Sequence, residues 1–227
     1  LASKLGSHHV SEIHWGGGTP NILPPEQFRR IVRQIEFWFD VAPDAAHAIE
    51  LDPRHVTREL ADAYVAAGIG RASLGIQDLN AHVQKAIGRV QPIEQVRQAI
   101  ETLRSAGLEQ LSFDLMYGLP GQSAGDLAQT IRLATDLQPN RIAVFGYAHV
   151  PWFKRRQRLI NAEDLPGVSD RFDQAELARR MLNDLGYESV GLDHFARPDD
   201  PLAISARDAT LKRNFQGYVA HESAALI

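Results

Sequence analysis

The sequence predicts an α/β fold in which parallel strands form a partial or complete (β/α) barrel with helices outside. Three observations lead to this prediction. Short β-rich runs alternate with longer amphipathic stretches, several stretches stop at a glycine before the next strand, and polar residues recur where strands end. Such alternation is typical of parallel strands joined by right-handed crossovers. A doubly wound open sheet would give the same periodicity and is the competing architecture.

Six short runs are predicted strands because they are rich in apolar and β-branched residues. They cover residues 12–15, 48–51, 71–76, 110–117, 141–147 and 188–193. The intervals between them leave room for the helical crossovers that parallel strands need. After about residue 195 this rhythm fades, so residues 1–195 are predicted to form the partial barrel and residues 196–227 the start of a C-terminal extension.

Five stretches between the strands carry apolar residues at helical spacing. The predicted helices cover residues 26–39, 57–67, 93–105, 125–137 and 171–185. Thr57 is the candidate N-cap of the second helix. The first helix is expected to place four large apolar residues along one face, namely Phe28, Ile31, Ile35 and Phe39. Glycine tolerates the left-handed conformation that ends a helix, and it follows three of these helices, at Gly68, Gly107 and Gly186.

Composition excludes several classes of protein. The net charge is −4, with 24 basic and 28 acidic residues, and their even mixing argues against a nucleic-acid-binding surface. No apolar run approaches the roughly 18 residues of a membrane span, and no secretory signal is visible, so a soluble cytoplasmic protein is expected. The absence of cysteine excludes disulfides and thiolate-bound metals within these residues. The densest basic cluster, residues 154–158, is expected to be a solvated face.

Polar or glycine-rich residues fall at the C-terminal ends of the predicted strands or inside them. Since ligands bind at this edge in barrels and open α/β sheets, six separate segments point to one surface. The segments are residues 16–20, Glu50 with Asp52, Gln77 with Asp78, Asp114, residues 147–149, and Asp193 with His194.

The glycine run at residues 16–18 leaves backbone amides uncovered for an anionic or carboxylate ligand, although a strained turn would look the same. Glu50 alternates with Ile49 and Leu51 and therefore points to the opposite strand face. A carboxylate inside an apolar strand, such as Glu50 or Asp114, needs a cation or hydroxyl donors. Surface exposure for Glu50 and a structural salt bridge for Asp114 are the alternatives.

Two histidines at strand ends, His149 and His194, raise the question of a metal. Two histidines without a third ligand are more often hydrogen-bonded core residues, so no metal site is predicted. A nucleophile elbow of the Gly-x-Ser-x-Gly type does not occur in the sequence.

Four segments together resemble the S-adenosylmethionine (SAM) binding strands of coproporphyrinogen-type radical SAM proteins. They are residues 14–20 (HWGGGTP), 49–53 (IELDP), 73–77 (SLGIQ) and 114–122 (DLMYGLPGQ). Residues 147–152 (YAHVPW), 191–196 (GLDHFA) and 213–218 (RNFQGY) resemble the oxygen-independent coproporphyrinogen III oxidases rather than their haem-chaperone relatives. The chain is therefore identified as similar to the oxidase family.

This resemblance implies a radical SAM (β/α) barrel and a specific set of cofactor contacts. The contacts fall on Gly17, Gly18, Thr19, Glu50, Gln77, Arg89, Asp114 and Ala148. It also implies a porphyrinogen substrate, an electron donor, a monomeric complete enzyme, and oxidative decarboxylation of coproporphyrinogen III to protoporphyrinogen IX in haem synthesis. The resemblance leaves the catalytic residues unassigned.

The family binds a [4Fe–4S] cluster through three cysteines, and this sequence has none. We therefore expect a central fragment that lacks the cluster loop and is inactive alone; a homologue that has lost the cluster is the alternative. Val219 and Ala220 stand where the family usually has two threonines, and Ala225 where an aspartate is common. A non-enzymatic haem-binding protein using His149 or His194 as axial ligand, or an inactive partner subunit, would be the competing functions.

Overall fold

A computed structural model describes residues 9–214 and 217–220 of the chain. The strands of this part are β1 His9–Trp15, β2 Asp40–Leu51, β3 Ile69–Gln77, β4 Gln110–Tyr117, β5 Arg141–Gly146, β6 Glu188–Val190, β7 His194–Ala196, β8 Lys212–Asn214 and β9 Gly217–Val219. The α-helices are α1 Pro25–Trp38, α2 Arg58–Ala66, α3 Ala81–Ala86, α4 Ile93–Ser105, α5 Ala124–Asp136, α6 Val168–Asp184 and α7 Pro201–Arg207. The five predicted helices and the first five predicted strands are confirmed, while α3, α7 and β7 to β9 were not predicted.

The chain divides into two compact units. Within the described residues, the first unit comprises residues 9–75 and 95–111, and the second comprises residues 76–94, 112–214 and 217–220. The predicted boundary at residues 195 and 196 stays a prediction.

In the first unit, β1, β2 and β3 run parallel, with the α1 and α2 crossovers between them, as predicted. The core is aromatic: the ring of Phe28 lies 4.8 Å from that of Trp15 and 4.9 Å from that of Tyr64. Residues of β2 alternate, so that Ile49 and Leu51 are buried while Glu50 between them is only half-buried. The predicted orientation of Glu50 is thus confirmed.

Helix α1 buries a narrower stripe than predicted. Phe28 and Val32, one turn apart, are its buried residues, whereas Ile31 is exposed and Ile35 and Phe39 are half-buried. The four residues predicted to share this face are therefore not equally buried, and Val32 was missing from the prediction. The N-cap prediction for α2 is confirmed, since the Leu60 amide donates to the Thr57 hydroxyl at 3.3 Å.

In the second unit, β4 and β5 pair in parallel across α5, but β5, β7 and β6 pair antiparallel. Because β7 runs opposite to both of its neighbours, β6 has the same direction as β5, as predicted for the sixth strand. The prediction was wrong in its length and its pairing, since β6 ends at Val190 and β7 separates it from β5. The chain leaves β6 at Val190 because Gly191 adopts a positive φ of 64°, and the side chain of Tyr218 fills the space a Cβ would need there. His194 consequently begins β7 instead of ending β6.

Among the described residues, the structure contains no helix that is both long and apolar enough to span a membrane.

Candidate functional site

The chain turns sharply after β1 at residues 16–18, which we name the glycine turn. Gly17 has a φ of +88°, a conformation that favours glycine. All three glycines are exposed, and a Cβ built on Gly17 or Gly18 would meet nothing within 4 Å. The space beside these two residues is open, so their backbone is accessible to a ligand.

Glu50 packs directly against the glycine turn. A Cβ on Gly16 would lie 2.8 Å from the carboxylate carbon of Glu50, so glycine is required there for the two to approach. The Glu50 carboxylate accepts hydrogen bonds from His14 Nε2, at 3.0 Å, and from the Gly17 amide. The bond to His14 is the largest influence on the pKa of Glu50 and lowers it, although partial burial works in the opposite direction. Glu50 is therefore an ionised group beside open backbone.

A buried side chain fastens the loop after β1 to the end of β2. Asn21 donates through Nδ2 to the Asp52 carbonyl at 2.7 Å and accepts from the Asp52 amide at 3.1 Å. The Asp52 carboxylate in turn binds Arg54, with Nη2 at 2.7 Å. Thr19, just before this loop, accepts from the Ile22 amide at 3.0 Å through its carbonyl. These contacts fix the glycine turn from its C-terminal side.

In the second unit, Gln77 ends β3 in an unusual backbone conformation. Its φ is +66°, and the Asp78 amide donates to the Ile76 carbonyl at 2.8 Å across it. The buried amide of Gln91 also donates to the Ile76 carbonyl, and its oxygen accepts from Arg89 Nε at 3.2 Å. The side chain of Gln91 thus links Arg89 to the peptide bond that precedes Gln77, and both Arg89 and Gln77 are predicted cofactor contacts.

Asp78, the residue after Gln77, is a fully buried carboxylate. It accepts from the Asn80 backbone amide at 2.6 Å and side-chain amide at 3.0 Å, from Gln122 at 2.9 Å, and from the Thr130 hydroxyl at 3.1 Å. Burial is the largest influence on its pKa and raises it, while the four hydrogen bonds oppose the rise. All four donors are neutral, which distinguishes this site from an ion pair.

The remaining predicted contacts also lie in the second unit. Asp114 is half-buried on β4 and stands opposite Ala143 of β5, on the strand face that faces away from Phe113 and Leu115. Ala148 is exposed after β5, and its carbonyl accepts from Gln157 Nε2 at 3.0 Å.

The two histidines that were considered as metal ligands both contact polar side chains of the protein. His149 Nδ1 lies 3.2 Å from the Tyr147 hydroxyl, and His194 Nδ1 lies 2.7 Å from the Asp193 carboxylate. His194 also packs edge-on against the rings of Phe145 and Tyr218. Over residues 9–214 and 217–220, no group of three or more His, Cys, Asp or Glu side chains is arranged to hold a metal ion.

The structure therefore brings the predicted residues together in subsets. Gly17 and Glu50 meet in the first unit, next to Gly18 and Thr19, and Gln77 and Arg89 are connected in the second. The convergence of all eight on one ligand stays a prediction. Within residues 213–218, Phe215 and Gln216 lie outside the described residues, as does Ala225.

Sequence reasoning missed the residues that support these contacts. His14 was part of a recognised motif without a role of its own, and Asn21, Gln84 and Gln91 carried no signal at all. An uncharged amide between two segments has no periodicity or charge pattern that would reveal its partners. Only the geometry identifies them.

Comparison with known proteins shows the family to which the chain belongs. The pattern of the radical SAM superfamily matches residues 1–134. The chain belongs to this superfamily. Its members use SAM together with a [4Fe–4S] cluster, as the sequence led us to expect.

Individual relatives of this superfamily member are oxidases of porphyrin chemistry. The chain is 45% identical over 228 residues to the oxygen-independent coproporphyrinogen III oxidase of Bradyrhizobium diazoefficiens, covering 100% of this chain and 51% of the relative. It is 48% identical over 209 residues to that of Cereibacter sphaeroides, covering 92% of this chain and 46% of the relative. The chain thus spans about half the length of the curated relatives it matches.

A solved structure extends the likeness to the fold. The coproporphyrinogen III oxidase of Escherichia coli, described as a radical SAM enzyme, superposes with a TM-score of 0.93 at 39% identity. The match covers 97% of this chain and 51% of that one. The predicted α/β fold of radical SAM type, a partial (β/α) barrel with parallel strands, is confirmed by this superposition.

The two cofactors of the superfamily fit this chain differently. The open glycine turn with the ionised Glu50 offers a carboxylate and uncovered backbone to a small zwitterion, so these residues fit SAM. The cluster does not fit, because its ligands are thiolates and the 227 residues include no cysteine.

Proposed function

We propose that this chain forms the SAM-binding part of an oxygen-independent coproporphyrinogen III oxidase. The whole enzyme would convert two propionate side chains of coproporphyrinogen III to vinyl groups, giving protoporphyrinogen IX. The observation that carries the proposal is the ionised Glu50 packed against the open glycine turn, in a chain whose likeness to the oxidases extends over nearly its whole length.

The charges of the predicted contacts match the parts of SAM. An ionised Glu50 suits an ammonium group or sugar hydroxyls, and uncovered amides of the glycine turn suit a carboxylate. Arg89, whose Nε donates to Gln91, carries a positive charge that would suit an anionic part of the ligand. When bound, SAM supplies the group that takes a hydrogen from the propionate. The role of this chain is to hold SAM in one orientation and to shield it from water.

A surface strip of the second unit is suited to a substrate with several carboxylates. Residues 152–159 combine four cations, Lys154, Arg155, Arg156 and Arg158, with exposed apolar side chains. Trp152 is 77% and Leu159 90% exposed, far more than large apolar residues usually are. Guanidinium groups pair with carboxylates, and exposed apolar side chains can pack against pyrrole rings, so the strip suits a ring-containing molecule with several carboxylates such as a porphyrinogen. The strip is the part of the chain that we assign to the substrate.

The proposal includes further features of the complete enzyme: a cytoplasmic location, an electron donor and a monomeric state. It assigns no contact with nucleic acid or membrane.

Calorimetric titration with SAM tests the proposal. Asp114→Ala should weaken SAM binding more than the matched Glu59→Ala, because Asp114 is half-buried on β4 whereas Glu59 is exposed on α2. A loss of about tenfold is the scale expected for one hydrogen bond to a charged group. Equal affinities for the two variants would remove Asp114 from the site, and a wild-type chain that does not bind SAM would overturn the proposal.

A second candidate, a haem-binding or haem-delivery protein, rests on His194. Its Nδ1 is held by Asp193, an arrangement that orients the other ring nitrogen as an axial ligand. A haem titration separates the candidates: a Soret shift that His194→Ala abolishes would favour haem binding.

A further inference from the structure

The backbone at Gln77 is strained, so neighbouring residues must stabilise its conformation. A φ of +66° on a residue other than glycine is uncommon, and the Asp78 amide closes a three-residue γ-turn onto the Ile76 carbonyl at 2.8 Å. Such conformations persist only where the surroundings fix them, and they concentrate at ligand-binding positions.

Gln91 supplies one of the two restraints on this turn. Its side chain is fully buried, and its Nε2 donates to the Ile76 carbonyl, the acceptor that closes the γ-turn. Its Oε1 accepts from Arg89 Nε at 3.2 Å. One planar amide therefore fixes both the peptide before Gln77 and the guanidinium of Arg89.

Gln84 holds Gln91 in turn. The Gln84 side chain accepts a hydrogen bond from the backbone amide of Gln91 at 3.0 Å. It donates to the backbone carbonyls of Gln91, at 2.9 Å, and of Asp78, at 3.0 Å. Gln91 thus cannot move without breaking buried hydrogen bonds. The Asp78 carboxylate, with four donors, is the second restraint and fixes the far side of the turn.

We propose that Gln91 is a positioning residue for cofactor binding, which sets the Gln77 side chain and the Arg89 guanidinium in one arrangement. The inference rests on the proposed function, because Gln77 and Arg89 are its predicted SAM contacts. It goes beyond that function in assigning a role to a buried, uncharged residue that is shielded from solvent.

The first arm of the test measures SAM affinity by calorimetry on the full chain. Gln91→Met keeps the volume but removes the side-chain hydrogen bonds to Ile76 and Arg89. We expect SAM binding to weaken by about tenfold, the lower end of the loss seen when groups that orient metal ligands are removed. Gln91→Glu retains the acceptor for Arg89 and should recover part of that loss. The matched control is Gln129→Met, since Gln129 is exposed on α5 of the same unit. Equal affinities for the Gln91→Met and Gln129→Met variants would overturn the inference.

The second arm adds a measurement of stability, for which no ligand is needed. Gln77→Gly should relieve the backbone strain, since glycine adopts a positive φ freely, and should therefore raise the urea midpoint while weakening SAM binding. If Gln91 holds a strained Gln77, the destabilisation from Gln91→Met should be smaller in the Gln77→Gly background than in the wild type. Additive effects would mean that Gln91 does not act on residue 77.

The two arms separate the inference from the function it rests on. Coupling between residues 77 and 91 without any SAM binding by the wild type would support the positioning geometry and overturn the proposed function. SAM binding without coupling, and unchanged in Gln91→Met, would support the function and overturn the positioning role. If Gln91→Met does not fold, Gln91→Glu replaces it in the cycle, because it also loses the donor to Ile76.

Discussion

The glycine turn after β1 and the γ-turn after β3 both place predicted cofactor contacts at strand ends, and they do so by opposite means. At Gly17 the positive φ needs no support, because glycine has no Cβ to clash. At Gln77 a side chain is present, so the same kind of backbone conformation requires restraint by its surroundings.

The carboxylate beside each turn reflects this difference. Glu50 is half-exposed, binds His14 and has a lowered pKa, so it is a charged group available to a ligand. Asp78 is fully buried, accepts hydrogen bonds from the neutral groups of Asn80, Gln122 and Thr130, and has a raised pKa. We conclude that a carboxylate at a strand end can either bind a ligand or hold the local backbone in place, and that the burial of the carboxylate decides between these roles.

Removing the two carboxylates gives the sharpest test of this contrast. Asp78→Ala would remove the buried acceptor that Asn80, Gln122 and Thr130 share, so we expect a loss of about 3 kcal/mol in the free energy of unfolding. Glu50→Ala removes one half-exposed pair and should lose less than about 1 kcal/mol. Urea unfolding of both variants checks the prediction. Similar losses would contradict the division between bracing and binding.

A smaller effect is expected from filling the space that glycine leaves beside Glu50. Gly16→Ala would place a Cβ 2.8 Å from the Glu50 carboxylate carbon, and since this is the end of a flexible side chain, Glu50 should swing away and lose its bond to His14. Stability should fall by only about 1 kcal/mol, while the pKa of Glu50 rises towards its ordinary value.

The control for this change is Gly18→Ala, because a Cβ there meets nothing within 4 Å and Gly18 has no positive φ. An NMR titration of the Glu50 carboxyl would measure the pKa directly. If Gly16→Ala and Gly18→Ala leave the same Glu50 pKa, the close approach of Gly16 does not control that carboxylate.

The same contrast explains how much of the site could be predicted from the sequence. The glycine turn and Glu50 were predictable because each breaks a local rule: three glycines in a row, and a carboxylate in an apolar strand. The first five strands were predictable from alternation alone. Gln91 was not, because its importance comes from hydrogen bonds to Ile76 and Arg89 that depend on the folded path of the chain.

The wrong sequence predictions also come from contacts that depend on the folded path of the chain. The chain reversal at Gly191 was predicted as one continuous strand over residues 188–193. The sequence does not show that the side chain of Tyr218, 27 positions later, fills the space beside that glycine. A tertiary contact ended a local pattern there. The convergence of the eight predicted contacts depends on tertiary geometry in the same way, and SAM titration is the measurement that addresses it.

The smallest expected effect is a difference in the pH dependence of stability. The folded pKa of Asp78 is raised, so its contribution is fully present below its unfolded pKa of about 3.9 and is lost as the pH rises through the folded value. The folded pKa of Glu50 is lowered, so its contribution is present above its unfolded pKa of about 4.3 and is lost as the pH falls through the folded value. Relative to the wild type, Asp78→Asn should therefore gain stability as the pH rises above about 4, and Glu50→Gln should lose the stabilisation that the wild type has above about pH 4. Urea midpoints across this range measure both slopes, and slopes of the same sign would show that the two carboxylates do not play opposite parts.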